Sequence, residues 1–209
     1  MLEVRNIAFG YVKAPILRDV SFVVSPGEIV SITGSNGCGK TTLLRVMATL
    51  LMPTAGQVVY DGKDAFSDTL KYRKQLGYLP EKVALYEDMS VKEYLNYRAK
   101  IKGEVFKRIR RRVSEAAALT RVEDLLRKPI KNLSYGQKKR VALADALLLR
   151  PRILLLDDFL AGLDGEMREA MGDILKESAA FSSVVTTGHE LEEMKKWSSR
   201  VLRIEGGRI

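Results

Sequence analysis

The stretch Gly-Ser-Asn-Gly-Cys-Gly-Lys-Thr-Thr, from Gly34 to Thr42, restricts this chain more than any other feature. Gly34 and Gly39 are followed by Lys40-Thr41, the pattern of a phosphate-binding loop. The apolar run from Ile29 to Thr33 reads as a strand entering the loop. Leu43, Leu44, Val46, Met47, Leu50 and Leu51 read as a helix leaving it, ended by Pro53-Thr54-Ala55-Gly56. Strand, loop and helix in that order is the context the motif requires. The glycines let the backbone curl so that successive N–H groups face a phosphate, and the start of the helix adds its positive dipole end there. Lys40 is expected to reach the β- and γ-phosphates, and the Thr41 hydroxyl to ligate Mg²⁺. The alternative is a glycine-rich turn that merely ends in Lys-Thr, and the flanking pattern counts against it.

With 209 residues, the chain suits one domain or one core with an inserted lobe. It is long enough to bury roughly 70% of the surface its unfolded form exposes. No apolar run of about 18 residues is present, so no membrane span is expected. The opening Met-Leu-Glu-Val-Arg-Asn lacks the apolar centre of a signal peptide. The single cysteine, Cys38, excludes an internal disulfide and makes a reducing cytosol the default. A net charge of +9 suits nucleic acid, an anionic membrane leaflet or ATP itself. Lys100, Lys102, Lys107, Arg108, Arg110, Arg111 and Arg112 crowd together with only Glu104 opposing them. Few aromatics interleave, which weakens single-strand nucleic-acid stacking. A solvated helix face, or a membrane-surface or subunit contact, fits better.

Taken in order, residues 2–9 alternate as a strand with Tyr11 at its end, and residues 16–24 hold a second strand. Pro26-Gly27 then turns into Glu28–Thr33, and connections this short suggest an antiparallel opening. A short strand over 57–60 meets the turn Asp61-Gly62. Residues 68–75 read as a helix and 76–79 as a strand stopped by Pro80. From Ser90 to about Leu126 the pattern is helical, broken near Gly103 and Thr120, with Ser90 and Glu93 forming a capping box. Residues 137–149 form a helix that is apolar on most sides, hence buried. The continuous run Ile153 to Leu156 reads as a parallel strand covered on both faces. A helix over about 165–180, a strand over 183–187, a short helix from Glu190 and a hairpin near Glu205–Arg208 follow. Strands alternating with helices predict an α/β fold, mostly parallel, with ligands at the carboxyl ends of the strands.

Asp157, at the end of that buried strand, fits a Walker B carboxylate directed at Mg²⁺; capping the next helix is the alternative. Leu133-Ser134-Tyr135-Gly136-Gln137 opens the buried helix, with Gln137 20 residues before Asp157. Alone, that run is a helix start with a serine cap. Placed between the loop and the Walker B strand, it makes essentially the whole chain resemble the nucleotide-binding subunit of ABC transporters. The run Tyr78-Leu79-Pro80-Glu81 looks like an exporter-type subgroup of that family.

The resemblance implies a P-loop NTPase core with an antiparallel β portion. The core would span residues 1–87 and 136–209, with an inserted α-helical lobe over 88–135. It implies that Tyr11 stacks on adenine and that Gly34, Ser35, Asn36, Gly37, Cys38, Gly39, Lys40, Thr41 and Thr42 hold the phosphates of ATP. Thr41, Glu81 and Asp157 would hold Mg²⁺. Ser134, Tyr135, Gly136 and Gln137 would contact ATP on a second nucleotide-binding subunit, giving a head-to-tail homo- or heterodimer around two ATP molecules. His189 matches the switch histidine that touches the γ-phosphate and the attacking water. Asp164 matches the loop communicating between the two sites, and it suits the N-cap of the next helix equally well. Separate transmembrane permease subunits, docked near Glu81–Glu93, would hold the chain at the cytoplasmic face of the membrane, and no direct nucleic-acid contact is expected.

The chain departs from the family pattern at several positions. Glu81 replaces a glutamine, yet a carboxylate still suits Mg²⁺. Tyr135 replaces a glycine, and Cys38 occupies a variable loop position where a small filler suffices. Asp158 stands where a glutamate usually polarises the attacking water, and Phe159 stands where proline is usual. Aspartate is one methylene shorter, a setback on the order of 1 Å that can cost roughly 100-fold in rate. The expectation is an ATPase motor of an export-type transporter whose hydrolysis is slow or needs a partner's complete site, unless a backbone shift permitted by the lost proline rescues Asp158. An ATP-switched dimerising regulator with weak hydrolysis is the alternative. A nucleic-acid- or ribosome-directed member of the family is a further rival, though such proteins mostly carry two cassettes.

Overall fold

The computed structural model describes residues 1–11 and 14–209. Leu2–Tyr11 (β1) and Ala14–Val24 (β2) pair antiparallel. The chain turns at Pro26-Gly27 and enters Ile29–Thr33 (β3), in which every residue is buried. The antiparallel opening inferred for this segment stops at β2. β3 leaves that sheet and runs parallel to two other strands. Its five residues are apolar or small and face a packed layer on each side, which only a central parallel strand does.

Lys40–Met47 (α1) follows the loop and ends earlier than its apolar residues suggest, with Leu50 exposed. The stop is a Schellman turn without glycine. Leu50 N–H donates to Arg45 O at 2.8 Å and Thr49 N–H donates to Val46 O at 2.9 Å, with Thr49 left-handed at φ 57°. Arg73 holds Thr49 there, donating to its hydroxyl and carbonyl at 2.9 and 2.7 Å.

Ala55–Tyr60 (β4) and Lys63–Asp64 (β5) complete the antiparallel sheet in the order β2-β1-β4-β5. Thr69–Arg73 (α2) leads to Leu76–Leu79 (β6). Val91–Ile101 (α3) and Phe106–Leu119 (α4) follow, with the Ser90–Glu93 capping box present. The basic stretch is partly neutralised from within. Arg111 and Arg112 meet Glu115 and Glu104 at 2.7 and 3.0 Å, and Lys102 meets Asp145 at 2.8 Å. Glu115 lies one helical turn beyond the stretch and Asp145 on another helix, so Glu104 is not the sole opposing charge.

Tyr135–Leu147 (α5), Ile153–Leu156 (β7), Gly165–Ala179 (α6), Ser183–Gly188 (β8), Leu191–Lys195 (α7) and Arg200–Arg203 (β9) complete the chain. The second sheet is parallel, in the order β6-β7-β8-β3-β9. The hairpin expected near the end is present as a Glu205–Arg208 bridge, but β9 beside it is additional. Its Arg-Val-Leu-Arg pattern lies at a sheet edge with exposed ends and lacks the apolar run of an inner strand.

The period of two in β7 divides the core. Ile153 and Leu155 pack with α1 and the antiparallel sheet, while Leu154 and Leu156 pack with α5 and α6. α5 serves two layers. Leu143 and Leu147 join the sheet, and Val141, Ala144 and Leu148 join α3 and α4 in a third cluster. That double duty is why a helix apolar on nearly every side forms here.

Candidate nucleotide site

The loop between β3 and α1 opens a cleft of roughly 340 Å³ at the carboxyl ends of the parallel strands. Gly39 caps α1 at φ 110°, and a Cβ there would fall 2.8 Å from Leu17 Cδ2, so glycine is required. The first N–H groups of α1 have no partner within the helix and point out of its start. Asn36, Gly37, Gly39, Lys40, Thr41 and Thr42 line the cleft with Glu81, Asp157, Asp158 and His189. Lys40 is buried and donates to Gly34 O at 2.8 Å and Ser35 O at 3.0 Å, with Cys38 Sγ 3.9 Å away. Its cation thus sits on the loop's own carbonyls.

Behind the loop, hydrogen bonds join the first turn of α1, the end of β7 and β8. Thr41 Oγ1 donates to Asp157 Oδ1 at 3.1 Å, and Thr187 Oγ1 donates to the same oxygen at 2.8 Å. Asp158 N–H donates to Thr187 Oγ1 at 2.9 Å. Burial raises the Asp157 pKa, the hydrogen bonds from Thr187 and Thr41 oppose that, and Glu81 adds to the rise. Asp157 Oδ2 is buried without a partner. A free carboxylate oxygen beside a threonine hydroxyl, with Glu81 on the same cleft, suits Mg²⁺, which takes one or two carboxylates and completes its shell with phosphates and water. No cluster of three His, Cys, Asp or Glu side chains able to hold a metal occurs among the described residues.

Asp158 is left-handed at φ 45°. His189 Nε2 lies 3.8 Å from Asp158 Oδ2, within ion-pair reach but beyond a hydrogen bond. Tyr11 lies at the end of β1, half exposed and edge-on to Phe9 at 5.0 Å, outside the residues that line the cleft. The signature residues also lie outside it. Ser134 and Gln137 form a capping box at the start of α5, Tyr135 is half exposed, and Gly136 faces Met167 and Leu163. Asp164 caps α6, accepting from Met167 N–H at 2.8 Å.

The sequence reading did not single out Thr187, Ile16 or Lys139. Thr187 looks like an ordinary β-branched strand residue, and Ile16 lines the cleft from β2. Lys139 is 1% exposed, and burial lowers its pKa while Asp158 and Glu81 oppose that. A larger cavity of about 610 Å³ beside the β4–β5 turn contains none of the candidate site residues.

A phosphate loop on a parallel sheet, backed by a carboxylate at the end of β7, which β8 separates from β3 in the same sheet, defines a P-loop nucleotide-binding protein. The family profile described as ABC transporter matches residues 17–161, and the chain belongs to that family. The spermidine/putrescine import ATP-binding protein PotA of Legionella pneumophila (strain Lens) is 34% identical over 211 residues, covering all of this chain and 58% of that protein. The Fe(3+) ions import ATP-binding protein FbpC of Escherichia coli O157:H7 is 31% identical over 210 residues, with coverages of 100% and 60%. The chain therefore spans less than two thirds of the length of these curated relatives. A solved structure described as the ATP binding subunit of an ABC transporter superimposes with a TM-score of 0.89 at 29% identity, covering all of this chain and 88% of that one. Both relatives carry import names, so the exporter-type expectation gains no support from them. Among the described residues no helix is long and apolar enough to cross a membrane.

Proposed function

We propose that this chain is the ATP-binding and ATP-hydrolysing subunit of a membrane ABC transporter. The observation that carries the reading is the linkage Thr41–Asp157–Thr187–Asp158 beneath the phosphate loop, with Lys40, Glu81 and His189 on the same cleft. On this reading the N–H groups at the start of α1 and Lys40 bind the phosphates. Thr41, Asp157 and Glu81 hold Mg²⁺, which neutralises charge on the phosphate oxygens. Asp158 takes the proton of the attacking water, and His189 holds the γ-phosphate side of the cleft. Tyr11 supplies a face for adenine.

The signature residues 134–137 lie outside the chain's own cleft, which supports a head-to-tail dimer in which each subunit completes the other's site. Residues 88–135 serve as the helical lobe between core segments 1–87 and 136–209. Separate permease subunits would hold the dimer at the inner face of the membrane. The names of the relatives favour import over the export direction suggested by Tyr78–Glu81.

The test is steady-state ATP hydrolysis by the purified chain with and without Mg²⁺, beside Lys40→Ala. Mg²⁺-dependent turnover that is lost in the variant supports the reading. ATP-driven dimerisation with no turnover at all would favour the dimerising regulator instead.

A further inference from the structure

Tyr135, Asp158 and Phe159, three departures from the family pattern, meet around one buried cation. Lys139 lies one turn into α5 and is almost fully buried. Its ammonium donates to the carbonyls of Asp158 at 3.1 Å, Phe159 at 3.2 Å and Ala161 at 2.7 Å. An ammonium has three N–H donors, so these carbonyls occupy all of them. The same nitrogen lies 5.3 Å from the centre of the Tyr135 ring. That ring also covers Gly162, where a Cβ would fall 2.9 Å from Tyr135 Cε1 at a φ of 73°.

The gathered turn is the one that carries Asp158. Asp158 N–H is tied to Thr187 Oγ1 at 2.9 Å, and Ala161 N–H closes the turn on Asp158 O at 3.2 Å. Left-handed backbone is uncommon outside glycine, and it persists where the surroundings over-determine it. Here Thr187 fixes one end of the turn and Lys139 collects its carbonyls from beneath.

We propose that Lys139 is a positioning residue for hydrolysis: by gathering the carbonyls of residues 158, 159 and 161, it holds Asp158 in the turn that presents its shorter side chain to the cleft. This rests on the proposed function, in which Asp158 takes the proton from water. Since α5 begins at the signature residues, Lys139 also fixes the spacing between Ser134 and the turn.

The test is a double-mutant cycle on the full chain. Lys139→Met removes every donor while keeping an unbranched side chain. It is expected to lower kcat roughly 10- to 100-fold, as misplacement of a reacting group does, with KM for ATP unchanged. In an Asp158→Asn background the same change is expected to lower kcat no further. Lys139→Gln keeps two N–H donors and is expected to fall between Lys139→Met and wild type, and it carries the test if Lys139→Met does not fold. Equal losses of kcat in both backgrounds, a change confined to KM, or wild-type kcat in Lys139→Gln and Lys139→Met would each overturn the inference. Wild-type kcat in Asp158→Asn alone would instead remove the functional reading of Asp158, a distinct failure.

Discussion

Thr41 Oγ1 and Asp157 Oδ1, from residues 116 apart in the chain, lie 3.1 Å from each other, and the second oxygen of Asp157 is left buried and unpaired. The loop after β3 and the end of β7 therefore meet at the energetic cost of an unsatisfied carboxylate oxygen, an arrangement that suits a hard cation.

That arrangement predicts a divisible ligand effect. ATP with Mg²⁺ at about 100 times Kd stabilises a folded protein by about 2.7 kcal/mol. Asp157→Asn and Thr41→Ala are expected to lose the Mg²⁺-dependent part and retain the response to ATP alone. Thermal melts with ATP, with and without a chelator, measure both parts. A full Mg²⁺ increment in Asp157→Asn would show that Asp157 is not a ligand.

A second prediction concerns the length of the Asp158 side chain. If the turn over 158–161 compensates for the missing methylene, Asp158→Glu overshoots and its kcat is no higher than that of wild type. Glutamate also tolerates left-handed backbone less well than aspartate. Faster turnover in Asp158→Glu would mean that the aspartate is a handicapped base and the turn does not correct it.

Ser134→Arg tests the shared-site geometry. The residue lies outside its own chain's cleft, so ATP binding is expected to persist while ATP-driven dimerisation disappears. Loss of the capping box lowers stability by about 1 kcal/mol, which Ser134→Ala measures separately. Light scattering with Mg²⁺ withheld, to prevent turnover, reads the dimer. Equal dimerisation by Ser134→Arg and Ser134→Ala would place the second subunit elsewhere.

The helical lobe is pinned to α5 through one carboxylate. Asp145 accepts from Arg98 Nε at 3.0 Å and Tyr94 OH at 3.2 Å, and Lys102 lies 2.8 Å from its other oxygen. Asp145→Ala leaves two half-buried cations facing each other and is expected to cost roughly 1.5–3 kcal/mol. Denaturant unfolding measures it, and an unchanged midpoint would show that the cluster is solvated in solution.

Acid should loosen the lobe before the core. Among the described residues four carboxyls are held below their ordinary value of 4.5: Glu93, Glu104 and Glu115 lie in the lobe, and Glu87 lies at its border with the core. Lys138 lowers Glu87, the N–H and hydroxyl of Ser90 lower Glu93, and Arg111 lowers Glu115. At Glu104 burial acts the other way, but the Val105 N–H and Arg112 outweigh it. These groups contribute stability above pH 4.5, and it is lost as pH falls through their lower folded values. Asp157 is raised, so its contribution is fullest below its ordinary 3.8 and declines as pH rises. As pH falls below 4.5, amide protection in α3 and α4 is expected to fall before that in β7 and β8. Loss of protection in both regions together would refute this.

What could be read from the sequence was local. The Ser90–Glu93 box and the Ser134 cap each join residues three apart, and the phosphate loop lies in one stretch, so local spacing located them; that Gln137 closes a full box on Ser134 is added by the structure. What could not be read depended on distant register. Thr187 serves both aspartates because β7 and β8 pair Leu156 with Thr186, which brings the next residue beside the carboxylates. Lys138 and Lys139 are indistinguishable in sequence. Yet one reaches Glu87 at the surface and the other is enclosed by the turn after β7. The early end of α1 was illegible for a related reason: Thr49 takes the place glycine would mark, held by Arg73 from another helix.

The left-handed backbone of Asp158 also constrains how this sequence can change. Proline confines the residue before it to extended backbone, so restoring the usual proline at 159 is incompatible with the conformation Asp158 now uses. Neither position can change alone without disturbing the turn that aims Asp158, and Lys139, bonded to both carbonyls, is bound into the same dependence. Asp158, Phe159 and Lys139 therefore form one dependent set, in which a substitution at any one position changes what the other two can hold.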